Sequence, residues 1–314
     1  MSDTVLVTGG AGFLGRRLAA TLLERGARNI LIADIAENPP DFDLGPRVRF
    51  VPADVSDPVV ASRLVTPEVG RVFHFGAVVS SAAEADFDLG LRVNLDGIRN
   101  LLEACRKLQS PPTFVFAGSC ASFGSRGGEL PSDSATRPES SYGAQKAIGE
   151  LLVNDFARKG FVRGVTCRLP TVVVRPGKPN LAASSFVSSI VREPLKGERA
   201  TCPVDEEVKV WVSSARNVLA GFLHAEDLAV KNELPTYRVF NLPGITLSIR
   251  QILEALARAG GDPGLVDFVP DPAINAIVST WPVRIGVEPE LTRGFPVDES
   301  FSACIQDYLK LHGG

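Results

Sequence analysis

The chain has 314 residues, of which 45% are hydrophobic and 22% charged, and its formal net charge is −3. This composition excludes a disordered, collagenous or coiled-coil protein and is typical of a globular fold with one large domain, alone or with a smaller lobe. The basic residues are scattered along the sequence and form no stripe, so we expect no nucleic-acid partner.

The number and spacing of the cysteines and histidines argue against a disulfide-rich fold and against a metal-binding fold. The cysteines are odd in number and far apart, without the spacing of zinc sites or disulfide frameworks. The histidines are equally dispersed, so we expect no metal centre. The sequence shows neither a secretory leader pattern nor an apolar run long enough to span a bilayer. We therefore expect a cytoplasmic protein with no membrane partner.

The first half of the chain alternates short β-rich runs with longer amphipathic segments. This alternation predicts a parallel sheet covered by helices on both faces, a doubly wound α/β Rossmann fold. The predicted strands are 4–8, 29–34, 48–51, 71–77, 113–119 and 164–170. The predicted helices are 13–25, 86–107 and 140–159, and the last opens on serines typical of an N-cap.

The pattern changes beyond Arg175 and predicts a smaller lobe. Helices are predicted at 181–194, 214–226, 248–259 and 299–311, and strands near 207–212 and 237–240. The Gly- and Pro-rich stretch 260–298 is expected to wrap the surface. We therefore predict a cofactor-binding and catalytic domain at 1–175, and at 176–314 mainly a smaller substrate-binding lobe, with some segments returning to the first domain.

A glycine-rich turn, TGGAGFLG, follows the first predicted strand and leads directly into a helix. Gly9 allows the tight turn, Gly12 lets the backbone approach a pyrophosphate, and Gly15 lets the helix pack closely on the strand. Asp34 ends the second strand about 20 residues further on, where a carboxylate accepts hydrogen bonds from an adenosine ribose. Because that carboxylate repels a 2′-phosphate, the sequence predicts NAD as the cofactor.

A second aspartate, Asp54, closes the third predicted strand in the tripeptide Ala-Asp-Val. It is a candidate contact for the adenine edge. The alternative is that its carboxylate caps a turn or a helix.

Tyr142 and Lys146 stand four residues apart in SYGAQK, at the start of a predicted helix, so their side chains share one face. A phenol titrates near 10, and moving it towards 7 requires about 4 kcal/mol of preferential support for the phenolate. A neighbouring ammonium supplies that support. We predict Tyr142 as the general base, Lys146 as its partner and a ligand of the nicotinamide ribose, and Ser119 as the group that holds the substrate hydroxyl.

With these motifs the chain resembles the extended short-chain dehydrogenase/reductase superfamily, which includes nucleotide-sugar epimerases and dehydratases. HFGAVVS, NLDG and GSCASFG carry the resemblance further. It implies that Asn94 shapes a helix kink and holds a proton-relay water, and that Ala77 and Ser80 lie against cofactor and substrate. The expected cofactor contacts are completed by Phe13, Leu14, Val55, Leu169 and Pro170. His74 is expected to be a core residue.

Some positions depart from the epimerase pattern. Phe123 replaces the usual Tyr, Thr171 the usual Asn, and VWVSSARN at 210–217 stands where many of those enzymes carry a different run. A smaller, unattached substrate is therefore favoured. The tracts SYGAQKAIGELL, RLPTVVVRPGKPN, AASSFVSSIVREPL, WVSSARN and FNLPGITLSI are similar to the branch of the superfamily that oxidises a four-carbon sugar acid, D-erythronate, at C2.

A sugar-acid substrate needs a group that binds its carboxylate, and a guanidinium suits this role. Arg175 and Arg216 are the candidates, and each is alternatively a structural partner for backbone carbonyls or an acidic side chain. Asn180 and Ser185 are candidate contacts for the substrate hydroxyls.

Two further functions remain open at this level: a nucleotide-sugar epimerase or dehydratase that returns the hydride to its substrate, and a non-catalytic, NAD-responsive binding protein. The helices 86–107 and 140–159 carry apolar residues on more than one face. Related enzymes dimerise through this pair, so a homodimer is expected. The alternative is that the second lobe or the sheet covers those residues.

Overall fold

A computed structural model describes residues 4–37, 44–124, 128–177, 183–279 and 281–312. Its contacts divide the chain into two compact units. The first unit comprises Met1–Ser119, Ala144–Arg168 and Phe222–Phe240, and the second comprises Cys120–Gly143, Leu169–Gly221 and Asn241–Gly314. The division of roles between residues 1–175 and 176–314 stays a prediction.

Short strands run through both units. In the described residues they are β1 (Thr4–Thr8), β2 (Asn29–Asp34), β3 (Val48–Pro52), β4 (Val69–His74), β5 (Thr113–Ser119), β6 (Glu129–Leu130), β7 (Arg163–Leu169), β8 (Thr171–Val173), β9 (Ala200–Cys202), β10 (Lys209–Ser214), β11 (Val239–Asn241), β12 (Ile245–Ser248), β13 (Val266–Phe268) and β14 (Arg284–Ile285).

Helices of very different length connect these strands. They are α1 (Phe13–Glu24), α2 (Pro58–Leu64), α3 (Ser80–Ala85), α4 (Phe87–Gly90), α5 (Gly97–Arg106), α6 (Ser141–Arg158), α7 (Ser185–Arg192), α8 (Ala215–Lys231), α9 (Ile249–Arg258), α10 (Pro272–Val278), α11 (Glu288–Thr292) and α12 (Phe301–His312). A π-helical segment covers Leu91–Asp96, and 3₁₀ turns cover Cys120–Phe123, Pro194–Lys196 and Pro263–Leu265.

The first unit is organised by a seven-stranded sheet in the order β11-β7-β5-β4-β1-β2-β3. The pairs β3–β2, β2–β1, β1–β4 and β4–β5 are parallel. Central strands such as β1 and β5 are buried almost throughout, because helices cover both faces of a parallel sheet. The predicted doubly wound Rossmann sheet is confirmed.

The strand order reverses between β1 and β4, and in open α/β sheets this switch point marks the edge where ligands bind. The turns that follow β1, β2, β3 and β4 leave the sheet at its carboxyl edge. Residues that the sequence assigns to the cofactor stand in these turns or, for β2, at the last residue of the strand, Asp34.

The predicted helix 86–107 is confirmed as an unbroken helical run from Phe87 to Arg106, with a π-helical turn inside it. The structure divides it into α4, the π-helical segment Leu91–Asp96 and α5. A π-helical turn inserts one extra residue into the helix, and this disturbs an apolar pattern too little to be recognised from sequence. The kink expected at Asn94 has its structural counterpart in this segment.

The second unit contains small sheets, β12-β10-β8, β13-β9 and β14-β6, and a core cluster built from α7, α9, α12 and the strands against them. For its stretch 260–298, which is expected to wrap the surface, the sequence pattern assigns no helix or strand. The stretch contains β13, α10, β14 and α11. These elements are two to seven residues long, which is shorter than a periodic pattern needs for recognition.

Candidate active site

The turn after β1 has the geometry that the glycine motif predicts. Gly9 adopts φ +67°, in the left-handed region, and a Cβ there would lie 2.5 Å from the backbone nitrogen of Gly76. A Cβ on Gly15 would lie 2.5 Å from Cα of Gly10, so α1 packs against the turn through bare backbone. Both positions therefore require glycine.

Gly12, the N-cap of α1, differs from its neighbours because a Cβ there would meet only the carbonyl oxygen of Gly9, at 3.2 Å. Its exposed backbone has no side-chain cap, and the first turn of α1, which contains Phe13 and Leu14, carries no acidic residue. A helix N-terminus of this kind favours a bound anion. The turn is thus a cradle that fits a pyrophosphate.

Asp34 ends β2 and fastens the same turn. Its Oδ2 accepts a hydrogen bond from the backbone N–H of Ala11 at 3.0 Å, and its Oδ1 accepts one from Ala36 at 3.2 Å. Each oxygen keeps a second lone pair for a hydroxyl donor. The residues present therefore fit NAD: a glycine cradle for its phosphates and an oriented carboxylate for its ribose.

Asp54 lies two residues beyond the end of β3, on the surface. Its Oδ1 accepts a hydrogen bond from the N–H of Ser56 at 2.9 Å, so the turn-capping role holds for that oxygen. The neighbouring Val55 is buried, and its carbonyl accepts a hydrogen bond from Asn100 Nδ2. Sequence reasoning missed Asn100, which fixes this turn from α5 through a second bond, to Ser56 O at 2.7 Å.

Asn94 is buried and holds the turn after β4, which contains Ala77 and leads to Ser80 at the start of α3. Its Oδ1 accepts a hydrogen bond from Val78 N–H at 2.9 Å, and its Nδ2 donates to Val78 O at 3.2 Å and to Gln145 Oε1 at 2.8 Å. Both amide hydrogens are therefore engaged. Gln145, which sequence reasoning missed, links the π-helical segment to α6.

His74, at the end of β4, is a fully buried core residue. Its Nδ1 shares a hydrogen bond of 2.6 Å with Thr8 Oγ1, and its ring stacks on Phe116. Burial, with a smaller contribution from the Lys146 charge, lowers the pKa of His74 to about 3. The imidazole is therefore neutral at physiological pH.

Tyr142 lies in the first turn of α6, where the N–H of Gly143 donates to Ser140 Oγ at 3.1 Å, as the serine-rich start of the helix predicts. A Cβ on Gly143 would lie 2.5 Å from the carbonyl oxygen of Ala121. This glycine thus lets the turn that bears Tyr142 pack against the 3₁₀ turn that directly follows Ser119.

Lys146 lies one helical turn after Tyr142, and only 3% of its surface is exposed. Its Nζ donates a hydrogen bond of 2.8 Å to the carbonyl of Ala117 on β5 and lies 4.8 Å from the centre of the Phe116 ring. Burial lowers the pKa of Lys146 to about 8, and the carboxylate of Glu150 opposes this decrease. The ammonium is thus strongly desolvated and fixed to the strand that ends at Ser119.

A buried ion pair that sequence reasoning missed stands one further turn along α6. Arg168 on β7 donates to both carboxylate oxygens of Glu150, with Nη2 at 2.8 Å from Oε2, and both side chains are buried. The i, i+4 spacing of Lys146 and Glu150 was the available signal. Their sequence does not reveal whether such charges are buried.

Arg175 follows β8 in the second unit, beyond Leu169 and the buried Pro170. Its backbone N–H donates to Ser188 Oγ at 3.1 Å, and its carbonyl accepts a hydrogen bond from Arg192. In contrast, its buried Nη2 has no hydrogen-bond acceptor among the described residues. Burial, followed by the nearby Arg192 charge, lowers the pKa of Arg175, which is the situation of a cation that needs an anion.

Arg216 is engaged differently, since its Nε lies 2.7 Å from Asp307 Oδ2 and more than half of its side chain is exposed. The serines before it in WVSSARN are buried, and Ser213 Oγ and Ser214 Oγ both donate to Asp298. This tract therefore ties β10 and α8 to the C-terminal segment.

Three other positions complete the predicted set. Ser185 is buried at the start of α7. Asn180 lies outside the described residues. Phe123, one of the departures from the epimerase pattern, is completely buried in an apolar cluster with Leu130 and Trp211.

Comparison with known proteins identifies the family of this chain. The NAD dependent epimerase/dehydratase family matches residues 5–231. The chain belongs to this family. D-erythronate dehydrogenases from Cupriavidus necator and Haemophilus influenzae are each 46% identical to it, over 98% of this chain and 98% of the relative. The crystal structure of a nucleoside-diphosphate-sugar epimerase from Agrobacterium tumefaciens superposes with a TM-score of 0.91 at 35% identity, covering 100% of this chain and 95% of that one.

Membership of the NAD dependent epimerase/dehydratase family confirms the resemblance, NAD as the cofactor and an NAD-dependent enzyme. Among the described residues, no three His, Cys, Asp or Glu side chains converge as metal ligands would. No helix in that part of the chain is long and apolar enough to cross a bilayer.

Gly9→Ala tests the cradle. A Cβ at this positive φ would collide with the Gly76 backbone, whereas Gly26→Ala, at φ +86° with no atom within 4 Å of the added Cβ, adds only the backbone strain. We expect each variant to lose about 1 kcal/mol of stability from that strain. Only Gly9→Ala should also lower NAD affinity, by about tenfold or more. Calorimetric titration measures both proteins, and equal affinities would contradict this role of Gly9.

Proposed function

We propose that the protein oxidises D-erythronate at C2 to 2-oxo-D-erythronate, with NAD as the oxidant. The observation that carries this proposal is the desolvated Lys146 ammonium held against β5, one helical turn after Tyr142. The choice of D-erythronate as the substrate is supported by the two D-erythronate dehydrogenases, which are 46% identical to this chain over nearly its whole length.

The chain's own residues carry out the proton transfer of this reaction. Tyr142 accepts the proton of the C2 hydroxyl, and the positive charge of Lys146 stabilises the phenolate that does so. Ser119 holds the same hydroxyl by hydrogen bonding. When bound, NAD supplies the hydride acceptor at C4 of its nicotinamide, so C2–H leaves with its electron pair.

Activity is tested directly by mixing the purified protein with NAD and D-erythronate and following NADH absorbance. We expect NADH to accumulate, and Tyr142→Phe to lower kcat about a hundredfold or more while NAD binding is kept. No NADH from this acid or any of its stereoisomers, with NAD bound, would contradict the substrate. Tight binding of uridine diphosphate without net NADH would favour the epimerase alternative.

Arg175 is the proposed ligand of the substrate carboxylate. Its Nη2 is buried without an acceptor among the described residues, whereas Arg216 is paired with Asp307. A buried guanidinium binds a carboxylate by charge-assisted hydrogen bonds, which are about twice as strong as neutral ones. Ser80, Ser185 and Asn180 are the proposed contacts for the remaining substrate atoms.

Paired substitutions separate the two arginines. Arg175→Met removes the carboxylate's partner, so we expect KM for D-erythronate to rise by about tenfold or more. Arg216→Met should leave KM near its wild-type value and lower stability slightly, because it breaks an exposed ion pair. Steady-state kinetics of the two variants decide the matter: the reverse pattern would assign the carboxylate to Arg216.

We further propose that the protein is a cytoplasmic homodimer. Cys105, Cys202 and Cys304 form no disulfide among the described residues, and burial raises the pKa of Cys105 to about 12, so this thiol is inert. Phe87 on α4 and Ile148 and Leu151 on α6 are exposed apolar residues of the first unit. The two helices are neighbours, because a Cβ on Gly90 would touch the Gln145 side chain.

Leu151→Glu tests the dimer. Leu151 is 59% exposed, and a charge at an apolar interface is costly, so we expect light scattering to report a monomer. Val230→Glu, on α8 of the same unit and 53% exposed, is the matched control that should leave the mass unchanged. A wild-type protein that is already monomeric would contradict the proposed assembly.

A further inference from the structure

The buried pair Glu150–Arg168 has no part in the proposed function, yet it stands directly beside the group on which that function depends. Three hydrogen bonds of 2.8–3.1 Å join the two side chains, and at most 6% of either is exposed. Replacing such a pair by apolar residues is often neutral or stabilising. Stability is therefore a weak explanation for its presence.

Glu150 and Lys146 are positioned by consecutive residues of β5. Lys146 Nζ donates to the carbonyl of Ala117 at 2.8 Å, and a Cβ on the next residue, Gly118, would lie 3.3 Å from Glu150 Oε1. The bare backbone at Gly118 makes room for the carboxylate. Both side chains leave the same face of α6, one turn apart. The carboxylate and the ammonium thus contact neighbouring parts of one strand.

Charged and titratable groups on several elements act on Lys146 or on its neighbour Glu150. Glu150 on the same helix and the neutral His74 on β4 interact with Lys146, and Arg168 on β7 and Tyr237 interact with Glu150. Burial disfavours the ammonium, and the charge of Glu150 favours it. Without that charge, Lys146 would lose its proton more readily and Tyr142 would lose its cation.

We propose that Glu150 is a positioning residue whose carboxylate, fixed by Arg168, keeps the Lys146 ammonium charged and held against β5. The link from this ammonium to Tyr142 and catalysis rests on the proposed function. The charge relation between Glu150 and Lys146 does not, so it can be tested in the protein without substrate.

The first test is the pH dependence of unfolding of the protein without cofactor. An unfolded lysine titrates near 10.5, whereas Lys146 in the folded protein has a pKa of about 8. Above pH 8 the unfolded chain binds the extra proton, so the contribution of Lys146 to stability rises with pH until 10.5. Subtracting the stability curve of Lys146→Met from that of the wild type isolates this rise.

We expect Glu150→Gln to move the onset of the rise to lower pH by about one unit, measured against Glu150→Gln/Lys146→Met. Glu226→Gln is the matched control, because it breaks another largely buried pair of the first unit, with Arg71 at 3.2 Å, away from α6. It should lower stability and leave the onset near pH 8. An unmoved onset in Glu150→Gln would overturn the proposal.

If Glu150→Gln does not fold, Glu150→Gln/Arg168→Gln removes both charges and leaves neither buried alone. Measured against the same double variant with Lys146→Met, its onset should still lie below that of the wild type, and a wild-type onset would overturn the proposal.

The second readout is catalytic. In Glu150→Gln, the alkaline limb of the pH profile of kcat/KM should move to lower pH by about the same amount, because that limb reports loss of the Lys146 proton. Glu150→Asp, which keeps the charge, should restore much of the profile. A shifted unfolding curve without any D-erythronate turnover would contradict the proposed function alone, whereas turnover with an unmoved unfolding curve would contradict the role of Glu150 alone.

Discussion

The desolvated ammonium of Lys146 is the constraint on which the other features of the site depend. An amine with 3% exposure has given up most of its hydration, so its charge must be stabilised by the protein. The carbonyl of Ala117, the face of the Phe116 ring and the carboxylate of Glu150 supply that stabilisation. In such a low-dielectric setting a single charge acts more strongly on its neighbours than it would in water, and this is why the proposed function assigns Lys146 to the support of Tyr142.

Buried polar groups on β4 and in the π-helical segment stand close to this charge. His74, the nearest titratable group on β4, stays neutral because it is buried and because Lys146 is positive. Asn94 and Gln145 fasten the π-helical segment to α6 with buried amide bonds. Rigid support of this kind holds catalytic groups in a narrow range of geometry.

The parts of the fold and site that sequence predicts are those with local signals. The glycine turn after β1, Asp34 at the end of β2 and the Tyr142–Lys146 spacing each depend on residues close together in the chain. In the structure the glycines form a tight turn, Asp34 bonds to that turn, and Tyr142 lies in the first turn of α6, while the roles of these residues stay predictions. Asp54 was less well defined, because β3 ends before it and its side chain caps a turn.

What sequence could not predict depends on burial and on distant pairing. Glu150 and Arg168 are 18 residues apart on different elements. The residue type alone does not reveal whether a charged side chain becomes buried or stays on the surface. Among the described residues, the buried Nη2 of Arg175 has no acceptor, whereas Arg216, an equal candidate in sequence, is paired with Asp307 of the same unit.

Direct titration of Lys146 tests the central claim most closely. Isotope-labelled lysine side chains can be followed by NMR as pH is raised, with Lys146→Met assigning the signal. The account predicts that Lys146 loses its proton near pH 8, well before the exposed lysines. A titration near 10.5, the ordinary value for lysine, would show a hydrated ammonium and contradict the account.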